Sequence, residues 1–171
     1  MTLLKVLSIS TLCALFVLIS IGGYVSASGV GLSCPDWPLC PAGLVPMNEF
    51  VIEYFHRTIA ATTGLLVLAT MIFALKSTAP GGMKIASIIA GSAVVGQIIL
   101  GAFVIVERLH AVLVTAHLGL GLVLFSMVLI VVLYSYGLLS YTPKTAMSST
   151  RDRKIREDEE QGEHSGLKMI D

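Results

Sequence analysis

The stretch that decides the fold lies between Lys84 and Glu107 and reads IASIIAGSAVVGQIILGAFVIV, residues 85–106. It contains no charged side chain. Its length matches the roughly 20 apolar residues that an α-helix needs to cross the hydrocarbon core of a bilayer. An open β-strand cannot cross lipid, because the hydrogen-bonding groups at its edges would stay unpaired. The stretch therefore predicts a transmembrane helix.

Three other stretches have the same length and apolar character. The four predicted spans cover approximately residues 3–24, 50–76, 84–106 and 110–137. The first span also has the basic start of a secretory signal peptide. Its apolar run is longer than the usual core of about 7–15 residues, so we expect it to be retained as a span. We therefore predict an all-α integral membrane protein, with residues 1–143 forming a bundle of four transmembrane helices.

The charged residues predict the orientation of this bundle. The chain is 55% hydrophobic and 13% charged, whereas soluble domains contain about 25% charged residues. Lys5, Lys76 and Lys84 fall on one side of a four-span arrangement, together with the bases of a charged tail, residues 144–171. Lys and Arg in short loops collect on the cytoplasmic side. We therefore expect a protein of the cell membrane with both termini in the cytoplasm.

The tail interleaves basic and acidic residues, as in RDRKIREDEE at residues 151–160. This composition predicts a solvated, disordered cytoplasmic segment. A docking segment for a cytoplasmic partner is the alternative. The sequence has no basic patch suited to nucleic acid and no glycine-rich phosphate loop, so we expect no nucleic-acid partner.

Two histidines lie inside the predicted spans. His56 is about six residues into the second span and His117 about seven residues into the fourth. Both spans run inward from the outer side, so a rise of 1.5 Å per residue places both imidazoles roughly 10 Å below the outer surface. Histidines on two helices of a bundle can bind one haem iron from opposite faces. The alternative is a pair of core histidines hydrogen-bonded to backbone or hydroxyl groups.

Two charged residues share the helix face of His56. Glu53 precedes His56 by three residues and Arg57 by four, so the three side chains lie together. Ionisable groups within a span are costly and are expected to face the bundle interior and to pair. Arg57 is a candidate for binding haem propionates, because a guanidinium matches carboxylate geometry. Glu53 could stabilise positive charge or move a proton. A structural Glu53–Arg57 pair beside an incidental His56 is the alternative.

The predicted outer loop contains GLSCPDWPLCP, residues 31–41. Cys34 and Cys40 would face the oxidising side of the membrane, where a disulfide is the default expectation. Such a disulfide could be a structural staple or a redox-active pair. The sequence has no Cys-x-x-Cys-His motif, which excludes covalent c-type haem attachment.

Together these segments resemble one half of haem A synthase, the membrane enzyme family that converts haem O to haem A for terminal oxidases. The resemblance covers about residues 20–125, with its blocks in the same order. The blocks are GGYV (22–25), SG (28–29), GLSCPDWPLC (31–40), EYFHR (53–57) with Ala60 and Gly64, QIILG (97–101) and HL (117–118).

The resemblance implies a role for each candidate residue. His56 and His117 would ligate the iron of a haem, either a haem B cofactor, the haem O substrate or both. Glu53 would be the catalytic residue in the oxidation of a porphyrin methyl group. That reaction would be successive hydroxylation of the methyl, giving an aldehyde after loss of water. Cys34 and Cys40 would form a disulfide above the haem site.

Familiar members of this family have eight spans in two similar four-helix halves. This chain has one half, as in half-length archaeal members, and carries each motif once. A homodimer would recreate the eight-helix arrangement. Small residues of the third span, in SIIAG (87–91) and SAVVG (92–96), offer a close-packing surface for it. The expected partners are haem O and membrane lipid, with haem O synthase or a terminal oxidase as further candidates.

Three other functions fit part of the sequence. A non-catalytic b-type haem electron carrier would use His56 and His117 but would not need Glu53 or the cysteine loop. A thiol–quinone oxidoreductase would use Cys34 and Cys40, although such enzymes are expected to have a Cys-x-x-Cys or a second reactive pair. A structural subunit or chaperone for oxidase assembly would not need to bind haem.

Overall fold

The computed structural model of the chain describes residues 2–32, 51–139 and 153–154. The first of its two units, Met1–Leu139, contains four long α-helices and a short 3₁₀ turn, Val30–Leu32. The helices are α1 (Thr2–Ala27), α2 (Val51–Lys76), α3 (Gly81–Val106) and α4 (Ala111–Ser135). Each is long and apolar enough to cross a membrane, which confirms the four predicted helical spans. Cys34, Cys40 and nearly all of the tail lie outside the described residues.

Backbone signals, rather than charges, set the ends of the helices. α3 begins at Gly81, directly after Pro80, and thus three residues before the predicted start at Lys84. α4 ends at Ser135 and is followed by a left-handed Gly137, and the N–H of Leu138 bonds back to the carbonyl of Leu133. This glycine-terminated arrangement is the Schellman motif, in which two otherwise unpaired carbonyl groups are satisfied.

The four helices form a square bundle. α1 contacts α2 and α4, and α3 contacts the same two helices, so α2 and α4 occupy opposite corners. The interior between them is filled by small and branched apolar side chains. Its buried members are Leu15, Val67, Ala90, Ala93, Val94, Leu124 and Val128. Side chains of α2 and α4 can therefore approach one another across the bundle.

The structure corrects the predicted use of the small residues of α3. Ser87, Ala90 and Gly91 are buried within this chain and do not form an outer surface. A Cβ added at Gly91 would collide with the sulfur of Met71 on α2. Small residues let two helices approach closely, and here the two helices belong to the same chain. Much of the proposed dimer surface is therefore used to pack α3 against α2.

The burial pattern of the first two helices recurs in the second two. When α1 and α3 are aligned from their first residues, Lys5, Ser8, Gly22 and Val25 coincide with residues of the same type. Their counterparts are Lys84, Ser87, Gly101 and Val104. When α2 and α4 are aligned on their histidines, the buried positions Thr63, Val67 and Thr70 coincide with the buried positions Leu124, Val128 and Val131. The bundle is thus built from two similar helix pairs, although its motifs occur once.

Candidate functional site

Each span histidine lies against a glycine of the neighbouring helix. A Cβ added at Gly22 of α1 would lie 3.0 Å from Cε1 of His56 on α2. A Cβ added at Gly101 of α3 would lie 3.4 Å from Cε1 of His117 on α4. Gly22 and Gly101 occupy equivalent places in the two helix pairs. The two imidazoles are therefore accommodated in the same way at opposite corners of the bundle.

The two histidines lie at similar depths on α2 and α4, the helices at opposite corners of the bundle. His56 is the sixth residue of α2 and His117 the seventh of α4, which corresponds to about 8 and 9 Å along their helices. The imidazoles lie within electrostatic range of each other, and His56 also lies within range of Arg57. Among the residues that the structure describes, Nδ1 of each histidine is buried and has no hydrogen-bond partner.

These features bear on the kind of group that could bind here. Buried polar atoms are normally paired, so two orphaned imidazole nitrogens in one region call for a ligand or water. In the described ranges, no three His, Cys, Asp or Glu side chains come together to hold a bare metal ion. A porphyrin supplies its own equatorial nitrogens, and haem iron then needs only axial ligands from the protein. The paired histidines and their flanking glycines are compatible with that requirement.

Glu53 and Arg57, which flank His56 in the sequence, form an ion pair. Nη2 of Arg57 donates to Oε1 of Glu53 over 2.5 Å. The Glu53 side chain is only 3% exposed and the Arg57 side chain 18%. A buried carboxylate needs such a partner, because desolvation otherwise makes its charged form very unfavourable. The predicted pairing of Glu53 with Arg57 on one helix face is therefore present.

Of the two helices that carry the histidines, only α2 has charged residues beside its histidine. On α4, the positions that correspond to Glu53 and Arg57 are Val114 and Leu118, which are apolar. A flat ligand held between His56 and His117 would therefore meet a charged helix on one side and an apolar helix on the other. This difference gives the site a means of orienting an asymmetric ligand.

Gln97 is a functional candidate whose role the sequence did not reveal. Its amide donates a 2.8 Å hydrogen bond to the backbone carbonyl oxygen of His117. Gly101, one turn further along α3, lies against the imidazole of the same histidine. The sequence does offer one indication, because Gln97 is the only residue with a side-chain amide in a span that contains no charged residue. Both polar and close-packing contacts to His117 thus come from the QIILG block.

The turn between α3 and α4 packs on the 3₁₀ turn that follows α1. Arg108 and Leu109 both adopt positive φ, 49° and 61°, which is costly for residues with a Cβ. Side-chain atoms of Leu109 would lie 3.3 Å from a Cβ added at Gly31. His110 is exposed and directly precedes α4. The strained turn therefore connects the start of the cysteine loop to the end of the bundle that holds both histidines.

The predicted Cys34–Cys40 disulfide lies outside the described residues and stays a prediction. The remaining cysteine, Cys13, is exposed on the surface of α1 and is free. It therefore lies on the outside of the bundle and not among the histidines.

Comparison with known proteins gives one family match and several relatives. The model of the COX15-CtaA family, described as cytochrome oxidase assembly protein, matches residues 47–157. The haem A synthase of Bacillus licheniformis is 36% identical over 131 residues, covering 73% of this chain and 42% of that protein. The haem A synthase of Geobacillus kaustophilus is 33% identical over 156 residues, covering 87% of this chain and 48% of that protein.

A relative with a different name also matches. The protoheme IX farnesyltransferase of Haloarcula marismortui is 32% identical over 117 residues, covering 68% of this chain and 25% of that protein. The chain thus spans less than half the length of each of these relatives.

Proposed function

This chain belongs to the COX15-CtaA family of cytochrome oxidase assembly proteins, and from that premise we propose that it acts in haem A synthesis. The proposed reaction is a four-electron oxidation of a methyl group of haem O to the formyl group of haem A, with the electrons passing to an external acceptor, for the biogenesis of terminal oxidases. The observation that carries the proposal is the His56–His117 pair, whose Nδ1 atoms are buried and unpartnered, as judged over the described part of the chain. Haem iron would be bound by these two histidines.

Glu53 and Arg57 have separate proposed tasks. A guanidinium has five N–H donors, so Arg57 can bind Glu53 and a haem propionate together. Glu53 would hold a negative charge beside the porphyrin and stabilise positive charge, or take a proton, as a methyl group is oxidised. Because α2 carries both residues and α4 carries Val114 and Leu118 instead, Glu53 would act from the side of the porphyrin face that is turned toward α2.

The half-length of the chain bears on its assembly. We propose a homodimer that recreates two four-helix halves, since closed two-fold symmetry is the most common arrangement of identical subunits. We propose haem O synthase as the partner that supplies haem O and a terminal oxidase as the partner that receives haem A. One relative that contains a region similar to this chain is named protoheme IX farnesyltransferase. Its name supports a partner that supplies haem O. The mass of the protein in mild detergent tests the dimer, and a strictly monomeric active protein would contradict it.

The proposed location is the cell membrane, with both termini in the cytoplasm. Lys5 lies 5.4 Å from the ring centroid of Tyr136, so the start of α1 and the end of α4 share one end of the bundle. Lys76 and Lys84 flank the short α2–α3 connection at that same end. The positive charges of this end support a cytoplasmic position. The histidines, near the opposite ends of their helices, would then lie toward the outer side.

The test is to produce the full chain in cells that make haem O and to purify it in mild detergent. The extracted haem is separated by chromatography, and an optical spectrum is recorded. A low-spin bis-histidine spectrum together with haem A or its hydroxylated intermediate supports the proposal. Haem B alone, without an oxidised product, would instead support a b-type electron carrier. No bound haem would contradict both functions and favour an assembly subunit.

Two variants separate the catalytic proposal from the alternatives. If the chain is a haem A synthase, Glu53→Gln should keep the haem spectrum and lose the oxidised product. If the chain is a b-type electron carrier, the substitution should change neither the spectrum nor the extracted haem. Cys34→Ser should keep measurable product formation if the disulfide is structural. Complete loss of product with intact haem binding would instead support thiol chemistry at Cys34 and Cys40.

A further inference from the structure

Thr63 carries a third buried polar atom without a partner. In the described segments, the buried side-chain N and O atoms that lack a hydrogen bond are Nδ1 of His56, Nδ1 of His117 and Oγ1 of Thr63. Thr63 is 2% exposed. An unsatisfied buried hydroxyl costs free energy, so such groups normally have a partner. The proposed function accounts for the histidines but not for this hydroxyl.

Most other helical threonines make a local bond that Thr63 does not make. A threonine in a helix can turn its hydroxyl to the carbonyl four residues earlier. Five threonines in the described helices do so, at distances of 2.7–3.0 Å. They are Thr11, Thr58, Thr62, Thr70 and Thr115. The hydroxyl of Thr63 is instead oriented away from this local acceptor, with no other acceptor or donor in the described chain.

Thr63 lies directly inward of the histidine site. It follows His56 by seven residues, which places it on nearly the same face of α2 and about 10 Å further along the helix. Leu124 follows His117 by the same interval on α4 and is also buried, at 4% exposure. A tetrapyrrole standing along the bundle between the two histidines would direct one edge toward Thr63 and Leu124. The opposite edge would lie near Arg57.

We propose that the Thr63 hydroxyl binds the hydroxyl group of the farnesylated side chain of haem O, and so selects haem O over haem B. This inference rests on the proposed function. Haem O carries a hydroxyl on the carbon that joins its farnesyl chain to the ring, where haem B carries a vinyl group. With the propionates at Arg57, the opposite edge carries this side chain. A hydrogen bond there satisfies Thr63 only when the farnesylated haem is bound.

The experiment measures which haem the protein retains. The full chain is produced in cells that contain both haem B and haem O and is purified in mild detergent. The ratio of farnesylated haems, haem O plus its oxidised products, to haem B is then compared among variants. Thr63→Val removes the hydroxyl at nearly constant volume, and Thr63→Ser keeps it. Thr62→Val is the matched control, because Thr62 is exposed and its hydroxyl bonds to the carbonyl of Thr58.

We expect Thr63→Val to lower the ratio about fivefold, the effect of losing one hydrogen bond of ordinary strength. Thr63→Ser and Thr62→Val should retain the wild-type ratio, and the low-spin spectrum should persist in all three. An unchanged ratio in Thr63→Val would overturn the inference while leaving the proposed function intact, as would equal loss of both haems. A wild-type protein that binds no haem would overturn the proposed function and this inference together.

Discussion

The side chain of Gln97 on α3 is hydrogen-bonded to the backbone of His117 on α4. The donor–acceptor distance from Nε2 to the His117 carbonyl oxygen is 2.8 Å. In an α-helix this carbonyl normally accepts from the N–H four residues later, which here belongs to Gly121. A Cβ at Gly121 would lie 3.2 Å from Nε2 of Gln97. The missing side chain of Gly121 thus gives Gln97 access to the residue that we propose as an iron ligand.

Gln97→Leu should lower haem retention about threefold to fivefold and shift the midpoint potential of the bound haem. The hydrogen bond contributes roughly 1 kcal/mol, and its loss lets α4 move relative to α3 at His117. Leucine already occupies the corresponding position of α1, Leu18, so the replacement suits the bundle. The measurements are haem per polypeptide and a redox titration.

The control for Gln97→Leu is Ser126→Ala. Ser126 is exposed on α4 and bonds only within its own helix, to the carbonyl of Leu122, as far as the described residues go. This variant should keep the occupancy and the potential. If Gln97→Leu also kept both, Gln97 would have no role in positioning His117.

Alanine substitutions at three glycines should affect haem binding in the order Gly22, Gly101, Gly23. The added methyl group would lie 3.0 Å from the His56 imidazole at Gly22 and 3.4 Å from the His117 imidazole at Gly101. At Gly23 it would meet nothing within 4 Å in the described chain. We expect Gly22→Ala to displace His56 and convert part of the haem to a high-spin form. Gly101→Ala should do so less, and Gly23→Ala not at all. Optical spectra measure the order, and equal effects at Gly22 and Gly23 would contradict it.

The sequence predicted the four helices and the depth of the two histidines along them for simple physical reasons. A charge-free stretch of the right length can only be a helix in lipid, and counting residues from its start gives depth. The histidine pair followed from two such counts, for His56 and His117. The Glu53–Arg57 contact followed from helical spacing alone.

Contacts between helices could not be predicted in the same way. A helix that is apolar on all sides has no polar face to indicate which side packs inward. For this reason the small residues around Gly91 were assigned to a dimer surface, whereas Gly91 itself lies against Met71 of α2. The partner of Gln97 was hidden for the same reason, because it depends on the rotation of α3 about its axis. The orphaned hydroxyl of Thr63 likewise required the rotamer of a single side chain.

Arg57→Gln should destabilise the bundle more than Glu53→Gln does. Removing one partner of a buried ion pair leaves the other charge in a poor environment, at a cost that can reach about 3–5 kcal/mol. The Glu53 side chain is 3% exposed and the Arg57 side chain 18%, so the carboxylate suffers more from losing its partner. Thermal unfolding in detergent measures the difference. The double variant should recover part of the stability that Arg57→Gln loses, and failure to do so would mean that the two groups are not coupled.

A hydrogen bond between Thr11 and Thr70 should stabilise the inner half of the bundle without affecting the haem. The two hydroxyl oxygens are 3.0 Å apart and buried, and each hydroxyl also contacts a carbonyl of its own helix. Those local contacts keep both hydroxyls satisfied in the single variants, so the coupling should be small. A double-mutant cycle with Thr11→Val and Thr70→Val should give about 0.6 kcal/mol, the average found for hydrogen bonds between transmembrane helices. The haem spectrum should be unchanged, because Thr70 lies fourteen residues beyond His56 along α2, about 21 Å of helix. A spectral change in either variant would contradict this prediction and show that the two halves of the bundle are coupled.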